Sequence, residues 1–251
     1  MMEEFIFTDM HTHMLPEIDD GAKNQEEMRK MLEIAYNEGT RILVTTPHCH
    51  PGRNYIHDIR KIHTAYRLLK LEADKYHDLK VYLGMEFFYV QDVEKLMKER
   101  RAYLMTGRYI MIEFLPEQDF FIIRQGVQKL VNHGYKVILA HVERYECLVR
   151  DVDNIMLLHR IGAKLQINAR SLTDGKRTIK KFIHTLLKND MVFCFSSDAH
   201  DTDKRSPSLL KAAEVVSKKY GIDVMKTLFY ENGKKIVKDR IKDVKETDNG
   251  R

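Results

Sequence analysis

Short apolar, β-rich runs alternate with stretches of helical period along the whole 251 residues, and this alternation limits the fold more than any other feature. Strands are expected near residues 5–9, 42–46, 81–85, 109–114, 137–140, 165–168 and 192–196. Amphipathic segments lie between them. In one, Asn24 can cap a helix with Glu27 three residues on, and Met28, Met31, Leu32 and Ala35 form its apolar face. In another, Tyr55, Ile59, Ile62, Tyr66 and Leu69 recur at steps of four and three, a stripe expected to face the core. Gly39, Gly134 and Gly162 fall where helices should end. Strands alternating with helices imply an α/β protein with a parallel sheet. Polar residues recur at the C-terminal ends of the strands, where β/α barrels place their chemistry, so a closed barrel is expected over an open doubly wound sheet. No G-x-G-x-x-G turn or phosphate-binding P-loop supports the open form. No linker or internal repeat divides the chain, and a single domain over 1–233 followed by a charged tail, 234–251, is expected.

Composition excludes several classes of function. The formal net charge is +5, but the tail carries seven Lys/Arg against four Asp/Glu. The body is therefore nearly balanced and offers no nucleic-acid-binding face. No apolar run reaches the ~18 residues that would span a bilayer. The acidic start, Met1-Met2-Glu3-Glu4, runs into an apolar strand and is no secretory signal, so a cytoplasmic location is expected. Cys49, Cys147 and Cys194 are odd in number and widely spaced, which argues for free thiols. Six residues beyond them stand Tyr55, Asp153 and His200, so none has the arginine a cysteine phosphatase requires.

The strand ends carry the chemistry. The first strand finishes in Asp9-Met10-His11-Thr12-His13, and alternate residues of an extended segment point the same way. The pattern recurs in Thr46-Pro47-His48, Met85-Glu86, Ile112-Glu113, His141-Val142-Glu143-Arg144 and Asp198-Ala199-His200, with Asp19-Asp20-Gly21 after the first strand. Buried charge on this scale persists only when paired or bound to metal. Imidazole and carboxylate donors without thiolate suit manganese, zinc or iron, and the set is too large for one ion. Two or three clustered divalent ions are implied, able to hold a hydroxide and to neutralise a phosphoryl group. Arg144 and Arg205 are placed to fork onto phosphate oxygens.

The segments DMHTHMLPEIDDG, TTPH, GMEF, AHVERY, QINARSL and SSDAHDTDKRSP resemble those of the polymerase-and-histidinol-phosphatase (PHP) family. Within it they are similar to the bacterial manganese-dependent protein tyrosine phosphatases of capsule and exopolysaccharide loci. The resemblance implies a distorted seven-stranded, TIM-like β/α barrel with a trinuclear site. It implies His11, His13, Asp20, His48, Glu86, Glu113, His141, Asp198 and His200 as ligands, with Glu86 bridging two ions. It assigns Arg144 and Arg205 to the substrate phosphate. The implied substrate is a phosphotyrosyl protein, the tyrosine-rich tail of a membrane-associated kinase of polysaccharide assembly. Three positions depart from the family pattern. Val142 replaces a usual proline, Arg170 a common glycine, and His48-Cys49-His50 a pair of adjacent histidines, which makes His50 a competitor for the place of His48.

Other readings stay open at this point. A histidinol-phosphate phosphatase would use nearly the same metal chemistry. A metal-dependent amidohydrolase also opens on H-x-H, but commonly carries a modified lysine on its fourth strand, where this chain has Glu113. A non-catalytic relative would be expected to have lost ligands.

Overall fold

A computed structural model describes residues 5–53, 55, 58–99 and 108–239. Nine strands are found among them: β1 (Phe7–Thr12), β2 (Thr40–Thr45), β3 (His48–Cys49), β4 (Lys80–Leu83), β5 (Glu86–Phe88), β6 (Tyr109–Glu113), β7 (Lys136–Leu139), β8 (Lys164–Asn168) and β9 (Val192–Ser196). All their ladders are parallel. They form a three-stranded sheet, β1-β2-β4, and a six-stranded sheet, β3-β5-β6-β7-β8-β9. The chain is thus a mixed α/β protein built on parallel sheets.

The expected count was seven, and the difference has a local cause. The second expected strand, 42–46, is followed across Pro47, which has no N–H to give a ladder, by a further short strand, β3. The third breaks at Gly84-Met85. At each break the chain passes from the small sheet to the large one. Backbone bonds stitch the crossing, from Gly84 N to Thr45 O at 2.8 Å and from Glu86 N to Pro47 O at 3.1 Å. On the other side of β1, Thr12 makes a parallel bridge with Ala199, just beyond β9. There Asp198 N donates to His11 O and His13 N to Ala199 O.

Helices pack along the strands: α1 (Gln25–Asn37), α2 (Ile59–Ala73), α3 (Val93–Glu99), α4 (Phe120–Asn132), α5 (Glu146–Arg150), α6 (Val152–Ile161), α7 (Ala169–Thr173), α8 (Arg177–Lys188), α9 (Leu210–Tyr220) and α10 (Ile222–Lys226). The cap of α1 is the expected one, with Asn24 Oδ1 accepting from Glu27 N at 2.9 Å and the expected four residues buried. Gly39, Gly134 and Gly162 follow helices with φ of 108°, 80° and 113°. Ile62 and Leu69 of α2 are buried as expected. Tyr55 is a correction. It lies outside α2, bridges His50 and stacks on the His48 ring with centroids 5.6 Å apart.

Most core residues form one large cluster, in which strand residues such as Leu43, Ile112, Leu139 and Ile167 belong with helix residues such as Met31, Val127 and Ile183. A second, smaller cluster gathers Met10, Val44, Tyr109, Met111, Ile138 and Ala140 with Ile236 and Val237. Strands so covered on both faces read as nearly continuous apolar runs. The same cluster draws in residues beyond 233. Residues 232–239 are helical, and Ile236 and Val237 are 1% and 4% exposed, so the packed body runs past that point. The rest of the expected tail, 240–251, lies outside the described residues. Among the described residues no helix is long and apolar enough to cross a membrane.

Candidate metal centre

The exit of β1 sets the site. His11 and His13 are both wholly buried. After His13 the chain doubles back, with Ala22 N donating to His13 O and Glu17 N to Ala22 O. A Cβ on Gly21 would stand 1.9 Å from His13 O, so only glycine permits this return. The return brings Asp19 beside the ring it serves. Its Oδ2 accepts from His13 Nδ1 at 2.8 Å and from His48 N at 2.9 Å. His11 Nδ1 donates to Gln166 Oε1 at 3.2 Å, and His200 Nδ1 to the Asp198 carbonyl at 2.9 Å. In each of the three rings Nδ1 carries the donated proton, which leaves an Nε2 lone pair for the interior.

Those lone pairs meet carboxylates. His11 Nε2 lies 3.2 Å from Glu86 Oε2 and 3.4 Å from Asp198 Oδ1. His13 Nε2 lies 3.4 and 3.5 Å from the same two atoms. His48 Nδ1 is 3.0 Å from both Glu86 Oε2 and Glu113 Oε1, and its Nε2 is 3.3 Å from Asp20 Oδ1. His141 Nε2 is 3.0 Å from Glu86 Oε1, and His200 Nε2 is 3.4 Å from Asp20 Oδ1. The donors fall into four overlapping groups: His13, Asp20, His48 and His200; His11, His13 and Asp198; His11, Glu86 and His141; His48, Glu86 and Glu113. All nine residues expected as ligands are in these groups. His50 is not; it stacks on Phe88 with centroids 3.8 Å apart.

The fit to metal is carried by atoms left over. Glu86 Oε2, Glu113 Oε1, His48 Nδ1 and His200 Nε2 are buried and make no hydrogen bond of acceptable geometry, although His48 Nδ1 stands 3.0 Å from both carboxylate oxygens. Buried polar atoms without partners are costly. Converging from several strands on common points, they suit divalent ions that accept nitrogen and oxygen donors. Charge agrees with geometry. Burial drives the Glu86 carboxyl upward, but His11 and His48 outweigh it and hold the group well below its ordinary range. Asp198 is likewise raised by burial and lowered further by His11, Arg144 and Arg205. Both are anionic, as ligands must be. Burial lowers His13 and the Asp19 carboxylate raises it, to about 9, so a metal ion at Nε2 would take the place of a proton there. His200 is pulled down to about 4 by burial and by His13.

Backbone strain gathers at the same place. His141 and Asp198 have φ of 34° and 52°, left-handed values that a non-glycine residue adopts at a cost. Arg144 and Arg205 both reach the second oxygen of Asp198, at 2.6 and 2.9 Å, and Asn168 Nδ2 donates to it at 2.9 Å. The two guanidiniums border a cavity of about 210 Å³ beside the cluster.

The sequence profile of a family described as capsular polysaccharide synthesis, CpsB/CapC, matches residues 7–238. The chain belongs to this family. A tyrosine-protein phosphatase CpsB of Streptococcus pneumoniae is 30% identical over 240 residues, covering 93% of this chain and 99% of that one. The tyrosine-protein phosphatase YwqE of Bacillus subtilis is 29% identical over 221 residues, covering 86% of each. A crystal structure from work on YwqE and CpsB, described as unique metal-dependent tyrosine phosphatases, matches with a TM-score of 0.82 at 27% identity and covers 93% of this chain and 95% of that one. A histidinol phosphate phosphatase from Lactococcus lactis, complexed with zinc, L-histidinol and phosphate, matches with a TM-score of 0.61 at 16% identity over 85% of this chain and 94% of that one. That second likeness concerns the fold alone.

Four residues at the site of this family member had no role assigned from the sequence. Asp19 was visible but not separated from Asp20. Gln166 and Asn168 fill the one strand end without a histidine or carboxylate. Gln166 Oε1 accepts from His11 and from His141 N at 2.7 Å, while its Nε2 donates to Asn168 Oδ1 at 3.0 Å. Their alternate spacing on β8 matches that of His11 and His13 and is the signal that could have found them. Glu143, fully buried and raised by that burial, accepts from Asn168 N at 3.1 Å and from the Ser171 hydroxyl at 2.7 Å.

Proposed function

We propose that this chain hydrolyses phosphotyrosine on a protein, with two or three divalent ions held by His11, His13, Asp20, His48, Glu86, Glu113, His141, Asp198 and His200. The observation that carries this is the convergence of nine donors into four overlapping groups beside two guanidiniums. Manganese is the first candidate, with iron and zinc as alternatives the donor set also suits. Such ions, when bound, activate water at neutral pH and neutralise phosphoryl charge. Glu86 belongs to two of the groups, with Oε2 facing His11 and His48 and Oε1 facing His141, and would serve as a ligand common to two ions. Asp19 and Gln166 orient rings. Arg144 and Arg205 bind the phosphate and hold Asp198 in place. A phenol, with pKa about 10, leaves without a strong general acid. We read the fold as a distorted barrel of seven staves, β2 with β3 and β4 with β5 each making one interrupted stave. The Thr12–Ala199 bridge supports that reading. The natural substrate is read as a phosphotyrosyl tail of a membrane-associated kinase of capsule assembly, in keeping with the family's description.

The thiols take no part. Burial pushes Cys194 up to about 12 and raises Cys147, which leaves both as poor nucleophiles. The test compares kcat/KM of the metal-loaded chain for a phosphotyrosyl peptide and for histidinol phosphate. Preference for the peptide is expected. A preference for histidinol phosphate would make the chain a small-molecule phosphatase and overturn the proposal.

A further inference from the structure

The cavity beside Arg144 and Arg205 holds a third guanidinium, which neither the donor cluster nor the Asp198 contact uses. Its inner wall carries Arg144, Arg205, Asn168 and Asp198, and its outer wall carries Arg170 and Asp174. Each inner guanidinium gives one nitrogen, Nη2, to Asp198 Oδ2. Arg170 is paired only with Asp174, Nε to Oδ2 at 3.1 Å, one turn along. Those side chains are 46% and 59% exposed, and exposed pairs of this kind contribute little. Arg170 can therefore exchange its partner at small cost.

Its backbone, by contrast, is fixed. Ser171 and Asn168 both donate to Glu143 Oε1, which ties α7 to the turn that carries Arg144. An exchangeable cation thus stands at a set place on the rim of a cavity whose wall carries three guanidiniums against two carboxylates. One of those carboxylates, Asp198, is 2% exposed.

We propose that Arg170 forms a rim subsite for the carboxylate of an Asp or Glu flanking the phosphotyrosine, so that the enzyme favours acidic segments. The proposal rests on the phosphotyrosine reading above. When the phosphate lies between Arg144 and Arg205, the peptide leaves the cavity across α7, and an acidic side chain replaces Asp174 on Arg170. A charge at a binding rim acts by steering and pairing, and salt weakens it.

The test uses the full metal-loaded chain and phosphotyrosyl peptides that differ only in Glu or Gln at the flanking positions. The parent protein should favour Glu by about fivefold in kcat/KM, and the preference should shrink as salt is added. In Arg170→Gln the ratio should fall close to one, and Arg170→Lys should retain part of it. Because the ratio compares two substrates on one protein, a variant that folds poorly lowers both rates and leaves it readable. Equal turnover of both peptides by the parent, or a preference unchanged in Arg170→Gln, would overturn the subsite alone. Failure to hydrolyse either peptide would overturn the phosphotyrosine reading and the subsite with it.

Discussion

Glu86→Gln is expected to strip the site of metal and to lower turnover by more than the about 10- to 100-fold that follows loss of a residue which merely orients a ligand. Glu86 is wholly buried and lies within 3.4 Å of rings from β1, β3 and the turn after β7. The amide keeps the shape and removes the charge. Around it the imidazoles would then face one another without the carboxylate that holds them, and two of the four donor groups would lose a member. His50→Ala serves as the comparison, since that ring lies outside the groups and should leave metal content near the parent value. Metal analysis and kcat on the same samples check both. A Glu86→Gln protein with full metal and near-parental kcat would remove Glu86 from the centre.

Arg144→Lys is expected to lower kcat by about 10²-fold with metal content unchanged. A guanidinium can fork onto two phosphate oxygens and an ammonium cannot. The contact strengthens as charge shifts in the transition state, so the loss falls on kcat more than on KM. Metal should stay because Asp198 Oδ2 keeps Arg205 and Asn168 as partners. That separates this variant from His141→Ala, which removes a donor. Arg205→Lys should shift in the same direction. Near-parental kcat in Arg144→Lys would mean the arginine only packs against Asp198.

What the sequence made legible follows from what each signal measures. Apolar runs located seven of the nine described strands to within three residues, because strands covered on both faces must be apolar throughout. The pairing of those strands was not legible. Periodicity cannot tell that Pro47 and Gly84 mark crossings between sheets, since pairing depends on residues distant in sequence. Tyr55 fitted the helical spacing of α2 by coincidence, and its partner, the His48 ring, is invisible to any local pattern. Ile236 and Val237 stood in a charge-rich segment that gave no hint of their burial. The donor set was legible because ionisable residues recurred at successive strand ends, which the parallel α/β fold gathers. Gln166 and Asn168 are neutral and common in turns, so their alternate spacing on β8 marked a shared face but not the partners they link, His11, His141 and Asp198. Arg144 and Arg205 were found by their distance from histidines. That both meet on one oxygen of Asp198 was not foreseeable.

Hydrolysis by a cluster of divalent ions on these nine residues has a direct consequence for the purified chain. The most direct measurement is the metal content of the purified chain together with its rate on a phosphotyrosyl peptide, before chelation, after it, and after Mn²⁺ is returned. Two or three ions per chain, loss of turnover on chelation and recovery with Mn²⁺ are predicted. Metal-free protein that retains full turnover would contradict the claim.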